Sequence, residues 1–169
     1  MNEGIKIIEV KDEQMINTVE DMANKIWHEH YEPIIGEAQV NYMLSRFQSA
    51  SAIKEQIKNG YRYFLVTFDN EYAAYFAIQP GFPEGKMFLS KLYVDSKFRK
   101  RGIAKAAVSY IEDICRQTGL KSIWLTVNKY NHGSISAYEK LGFVNIEAIV
   151  QDIGNGFVMD DYKMEKEVK

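Results

Sequence analysis

The chain has 169 residues, 46% of them hydrophobic and 13% aromatic, with 21 Lys and Arg against 23 Asp and Glu for a net charge of -2. That length suits one domain, residues 1–169, around one core, and the near-balanced charge excludes a protein that holds nucleic acid through its overall field. No run approaches the roughly 18 apolar residues of a membrane span, Met1-Asn2-Glu3-Gly4-Ile5-Lys6 has no signal-peptide core, and the single Cys115 excludes an intrachain disulfide and fits a reducing cytoplasm.

In chain order, Ile5 to Val10 reads as a strand, and Asp12 can cap a helix from about Glu13 to Glu29 whose apolar positions Ile16, Val19, Met22, Ala23 and Ile26 keep helical spacing. Pro33 and Gly36 interrupt the next stretch, so His28 to Gly36 is expected as a loop or broken helix. Helices follow over Glu37 to Phe47 and Ser51 to Lys58, the second stopped by Asn59-Gly60. Tyr61 to Phe68 and Tyr72 to Gln79 form a hairpin about Asp69-Asn70-Glu71, and Met87 to Val94 is a further strand after a turn-rich loop. A helix from about Gly102 to Thr118 ends at Gly119. Then come strand Ser122 to Val127, helix Ser134 to Leu141, strand Phe143 to Ile149, a turn at Asp152 to Gly156 and strand Phe157 to Lys166. Cys115 lies among Ile111, Ile114 and Leu120 on its helix and is expected as a core thiol.

The most informative stretch is the strand ending at Val94, the basic turn that follows, and the helix that the turn opens. N–H groups in the first turn of a helix have no intrahelical partner, and the helix dipole places partial positive charge there. A strand, a turn and a helix start therefore make a cradle for an anion such as a pyrophosphate. Gly102 lets the backbone approach phosphate oxygens where a Cβ would intrude, and Lys97, Arg99, Lys100, Arg101 and Lys105 surround the cradle with positive charge.

Arg99-x-x-Gly102-x-Ala104 resembles the Arg/Gln-x-x-Gly-x-Gly/Ala signature of the GCN5-related N-acetyltransferases (GNAT). About 30 residues further on, Asn128-Lys129-Tyr130-Asn131 and Ala137-Tyr138-Glu139-Lys140-Leu141-Gly142-Phe143 are similar to that family's late Asn…Asn…Ala-x-x-x-Tyr-Glu-Lys-Leu-Gly-Phe block. The resemblance implies the acyl-CoA N-acyltransferase fold, an α/β protein of the α+β type with a mixed, mostly antiparallel sheet of six to seven strands flanked by helices. It implies acetyl-CoA as co-substrate and direct transfer of an acetyl group to a primary amine: a small molecule, a polyamine or a peptide N-terminus. Main-chain N–H groups from Arg99 through Lys100, Arg101, Gly102 and Ile103 to Ala104 would hold the pyrophosphate, with Lys105 just inside the helix. Leu92, Tyr93 and Val94 would pair with the pantetheine arm where their strand splays from the next. Asn128 or Asn131 would bond the cofactor, with a helix cap the alternative for Asn131. Tyr138 would protonate the departing thiolate.

The resemblance stops short of the proton acceptor. Many members of the family carry a glutamate on the strand before the basic turn, where this chain has Ser90 and Lys91. His30 or Glu29 is expected to take that role, because the segment after the first helix covers the acceptor site in the resembled fold. His28 and His30 do not have zinc-site spacing, so no metal is expected. The missing glutamate also leaves a second reading, a non-catalytic acyl-CoA-binding or sensor protein on the same fold. A nicotinamide-dependent dehydrogenase is disfavoured, since no Gly-x-Gly-x-x-Gly follows an early strand. Homodimers are frequent in the family, and the C-terminal strands could form such an interface. No nucleic-acid or membrane partner is expected.

Overall fold

The computed structural model describes residues 4–169. In order come β1 (Ile5–Glu9), α1 (Glu13–Ile35), α2 (Glu37–Phe47), α3 (Ala50–Lys58), β2 (Arg62–Phe68), β3 (Glu71–Pro80), β4 (Lys86–Val94), a 3-10 turn (Ser96–Phe98), α4 (Ile103–Thr118), β5 (Ser122–Asn128), α5 (His132–Lys140), β6 (Val144–Gly154) and β7 (Phe157–Glu167). The strands make a mixed sheet of order β1-β2-β3-β4-β5-β7-β6. β4 and β5 pair in parallel, whereas β1–β2, β2–β3, β5–β7 and β6–β7 pair antiparallel. Internal contacts divide the chain into two units. An N-terminal unit runs to Gln79 and takes in Lys91–Ala107; a C-terminal unit comprises Pro80–Ser90 and Val108–Lys169.

In the N-terminal unit the core is built on β2 and β3. Tyr63, Phe64, Leu65, Val66, Ala74, Tyr75, Phe76 and Ala77 are all fully buried, so these strands are covered on both faces and read as unbroken apolar runs. The Phe64 and Phe76 rings stack across the pair with centroids 4.7 Å apart. Asp12 caps α1 as expected, its carboxylate accepting from the Met15 N–H at 2.8 Å, a contact of about 1 kcal/mol in exposed caps.

The expected break at His28 to Gly36 is corrected: α1 is continuous through Pro33 and stops only at Gly36, whose N–H donates to the Glu32 carbonyl at 2.9 Å. Pro33 forfeits the bond that a backbone N–H there would give to the Glu29 carbonyl, and the contacts of the segment outweigh that loss. Packing holds the segment helical. Trp27 and Tyr31 lie with ring centroids 5.3 Å apart and reach Tyr93 of β4 at 5.2 and 6.0 Å. His28 Nδ1 meets Glu32 Oε2 one turn on at 2.8 Å.

In the C-terminal unit, Ile123, Leu125 and Val127 of β5 are buried. On β7, Lys166 reaches Glu112 of α4 at 3.4 Å, and its side chain passes beside Gly142 at the end of α5. Cys115 is buried, and burial pushes its thiol up to about 11, as a core thiol should behave. The C-terminal hairpin is longer than expected. β6 runs to Gly154, and the chain reverses through Asn155 (φ 55°) and Gly156 (φ 78°), the left-handed pair that matches strand twist in two-residue hairpins.

Candidate active site

The basic turn lies wholly in the N-terminal unit and is built from its anchor outward. Asp95, buried at the end of β4, accepts from the Lys97 N–H at 3.0 Å and pairs with Lys25 of α1 at 2.8 Å, while its own N–H donates to the Ala73 carbonyl. Burial alone would raise its carboxyl, but the Lys25 hydrogen bond and the Lys97 N–H outweigh burial and hold it below its ordinary value. Beyond this anchor Lys100 takes φ 62° and Gly102 φ 77°. A left-handed lysine costs roughly 1 kcal/mol, and alternating such residues turns successive N–H groups to one side. Gly102 brings no side-chain oxygen to the N–H groups that open α4, and a Cβ built on it meets no protein atom within 4 Å. The space over the helix start is thus clear of protein, as the cradle requires.

The basic side chains divide around this backbone. The Arg101 guanidinium sits 5.8 Å over the Phe68 ring, and Lys97 lies 3.9 Å from Glu71. Arg99 and Lys100 are exposed, and Ile103 is buried as the first apolar anchor of α4. Ala104 and Lys105 follow in the first turn of that helix. Arg99 Nη2 lies 3.4 Å from His30 Nδ1, and Ser96 Oγ donates to Glu29 Oε2 at 3.1 Å. The two residues expected as proton acceptors are therefore brought to the turn. A guanidinium can only donate, so His30 Nδ1 accepts and the ring proton sits on Nε2.

Leu92, Tyr93 and Val94 are half-buried on β4. The parallel ladder joins Lys86 to Ser122, Met87 to Ile123 and Phe88 to Trp124. Both strands run on past these rungs, β4 to Val94 and β5 to Asn128.

A feature that sequence reasoning missed is the polar chain beneath Tyr93. Trp27 Nε1 donates to Tyr75 Oη (2.9 Å), which donates to Gln48 Oε1 (2.7 Å). Gln48 Nε2 donates to Tyr63 Oη (3.0 Å), and Tyr63 donates to Gln56 Oε1 (2.5 Å), which also accepts from Lys91 Nζ at 3.3 Å. The ammonium lies 5.7 Å from the centroids of both Tyr61 and Tyr63. Burial brings Lys91 down to about 8 and pushes the Tyr63 phenol up. The signal available in the sequence was a lysine interrupting the apolar run of β4.

In the C-terminal unit, Asn128 ends β5 and its Oδ1 accepts from the Tyr130 N–H at 2.9 Å. Asn131, buried, caps α5 by accepting from the Ser134 N–H at 3.3 Å, so the cap alternative for that residue is realised. Tyr138 lies on α5 with its ring 5.5 Å from Phe143, edge to face. A second residue missed in the sequence is Asp161 of β7, only 6% exposed and directly across the ladder from Asn128. Burial and the neighbouring Asp160 carboxylate raise it to about 6, against smaller opposing pulls from Lys129 and a Thr126 hydrogen bond.

The acetyltransferase (GNAT) family model matches residues 19–143, about three quarters of the chain. The chain belongs to the GNAT family. Among curated relatives, the ribosomal protein bS18-alanine N-acetyltransferase of Escherichia coli K12 is 30% identical over 86 residues, which cover 50% of this chain and 57% of that protein. The match thus spans little more than half the length of that relative. Among solved structures, PaiA N-acetyltransferase from Thermoplasma acidophilum, crystallised with coenzyme A, superposes with a TM-score of 0.78 at 20% identity, covering 96% of this chain and 98% of that one. A GCN5-related N-acetyltransferase from Rhodopseudomonas palustris gives a TM-score of 0.79 at 12% identity over 99% and 98%. At such identities the structural likeness shows the fold: a GNAT sheet of seven strands flanked by helices.

Proposed function

We propose that the protein, residues 1–169 acting as one GNAT domain, is an N-acetyltransferase that moves an acetyl group from acetyl-CoA directly to a primary amine. The observation that carries this reading is the basic turn. Two left-handed residues, a glycine cap without a side chain and a clear space above the α4 N-terminus fit a pyrophosphate. Arg99, Lys100, Arg101, Gly102, Ile103, Ala104 and Lys105 would hold that group through backbone N–H groups and positive charge. Leu92, Tyr93 and Val94, half-buried at the end of β4, would take the pantetheine arm through main-chain groups. Asn128 would contribute a side-chain amide, and Asn131 would set the direction of α5. The Tyr138 phenol would give its proton to the leaving sulfur.

The acceptor is a primary amine, with a polyamine and a peptide N-terminus as the leading classes; the alanine-acetylating relative supports the second. Cytoplasmic location belongs to the proposal and is supported by the lone buried thiol, and no helix of the described residues is long and apolar enough to cross a membrane. A homodimer through the C-terminal strands is supported by Val144, Ile146 and Val150, all more than half exposed on the edge strand β6.

Calorimetric titration with acetyl-CoA, beside dephospho-CoA and NAD, tests the cradle, and thiol release with amines tests the transfer. Tight acetyl-CoA binding with NAD silent, followed by amine-dependent thiol release, is the expected result. Binding without turnover on any amine would move the non-catalytic acyl-CoA sensor to the front.

A further inference from the structure

We propose that Asp161 is the group that holds the acceptor's ammonium and takes its proton. The inference rests on the N-acetyltransferase reading and supplies the one role that the residues of β4 leave empty.

The geometry comes from the β5–β7 ladder. Residues directly opposite in an antiparallel pair share a face of the sheet, and alternate residues of one strand return to that face. Asn128 opposes Asp161 and Thr126 opposes Lys163, so Thr126, Asn128, Asp161 and Lys163 lie on one face. The hydrogen bond between Thr126 and the Asp161 carboxyl agrees with this placement. Lys166, which meets Glu112 of α4 and passes beside Gly142, belongs to the opposite face. Asp161 is therefore directly across the ladder from Asn128, the residue proposed to meet the cofactor, on the side away from the contacts of Lys166.

The charged neighbours within the unit are few. Asp160 is adjacent in sequence but points to the other face, where it pairs with Lys129 at 2.6 Å. Lys163 lies two residues on, with its ammonium 4.8 Å over the Trp124 ring, and Glu147 of β6 opposes Lys163. A carboxyl at about 6 is ionised at neutral pH, yet basic enough to accept a proton, which is the compromise that general bases require. Glu29, by contrast, is exposed and bonded to Ser96, and the lone pair of His30 faces Arg99.

The bound ammonium gives one proton to Asp161, and the freed lone pair forms the C–N bond at the thioester carbonyl. The C–S bond breaks, the sulfur takes the Tyr138 proton, and the phenolate recovers one from the newly acylated nitrogen. Asp161 then releases its proton to water.

The test measures kcat/KM for thiol release from pH 5.5 to 9 with spermidine, an N-terminal alanyl peptide and an aminoglycoside, together with acetyl-CoA affinity by calorimetry. Wild-type kcat/KM should rise up to about pH 6 and stay level until the amine itself deprotonates, which for the alanyl peptide is near pH 8. Asp161→Asn should bind acetyl-CoA within about threefold of wild type, lose on the order of 10² or more in kcat/KM, and rise across the whole range because it must await free amine. Glu29→Gln and His30→Ala should keep the break near pH 6. A full-rate Asp161→Asn with that break intact would overturn the assignment. If Asp161→Asn fails to bind acetyl-CoA, Asp161→Glu decides: a lowered kcat at normal acetyl-CoA affinity supports the role, and an unchanged kcat overturns it. Wild-type protein that binds acetyl-CoA but releases no thiol with any of the three amines would overturn the transferase reading, and Asp161 as proton acceptor with it.

Discussion

The two units treat charge in opposite ways. In the N-terminal unit the cations of the basic turn stay near the surface, and the buried Lys91 sits at the end of a hydrogen-bonded chain from Trp27 to Gln56 and over two tyrosine rings. In the C-terminal unit a carboxyl is buried next in sequence to a second one. A satisfied network stabilises its surroundings and fixes them. A carboxyl raised by burial, and further by a like charge, is held at a cost, and groups shifted in this way collect at functional sites. The contrast separates a region whose buried polar groups are bonded to one another from one that holds a carboxyl out of water, the feature on which the proposed proton transfer rests.

The largest expected effect is at Gly102. Since a Cβ there meets no protein atom, Gly102→Glu is hindered mainly by its left-handed backbone, at roughly 1–2 kcal/mol, and the protein should still fold. Acetyl-CoA affinity should nevertheless fall at least about 100-fold, because the new carboxylate occupies the phosphate position and repels it. Retained affinity in the folded variant would refute the cradle. Next in size, Tyr138→Phe should lower kcat by about 10²-fold with acetyl-CoA affinity nearly unchanged, as expected for a proton donor that acts only in the transition state; equal kcat values would remove Tyr138 as the acid.

The smallest expected effects concern stability and have opposite pH signatures. Asp161 titrates higher folded than unfolded, so wild-type stability should fall as pH rises from about 4 to 6 and stay lowered above that. Asp161→Asn escapes this loss and should be more stable at pH 7, by up to about 3 kcal/mol, with the gap closing below pH 4. Lys91 titrates lower folded than unfolded, so wild-type stability should rise between about pH 8 and 10.5. Lys91→Met should remove that rise, about 3 kcal/mol in all, while the lost contact with Gln56 and the two rings lowers its stability equally across pH. Urea midpoints across pH check both; parallel wild-type and variant curves would mean that neither group is shifted.

Local rules carried much of the reading. The Asp12 cap, the apolar spacing of α1, the strand, basic turn and helix around Gly102, and the Asn131 cap all act over a few residues, and the structure repeats each of them. Where the sequence misled, distant contacts had overruled a local signal. Pro33 was a good reason to end a helix, but Trp27 and Tyr31 packing on Tyr93, with His28 meeting Glu32, carry α1 on to Ile35. Likewise the turn expected over Asp152 to Gly156 tightened to two residues because β6 and β7 keep pairing almost to the hairpin tip.

By itself, then, the order of residues determined most of the strand and helix sequence, the basic turn at the start of α4 and the family, because periodicity, capping and a left-handed glycine are properties of short segments. Only the tertiary structure decided which ionisable groups lie out of water. Lys91 and Asp161 look like ordinary strand residues in the sequence. Their shifted protonation comes from the burial around them, Lys91 among tyrosines of β2 and its flank and Asp161 directly across from Asn128, and desolvation depends on neighbours that no short segment contains.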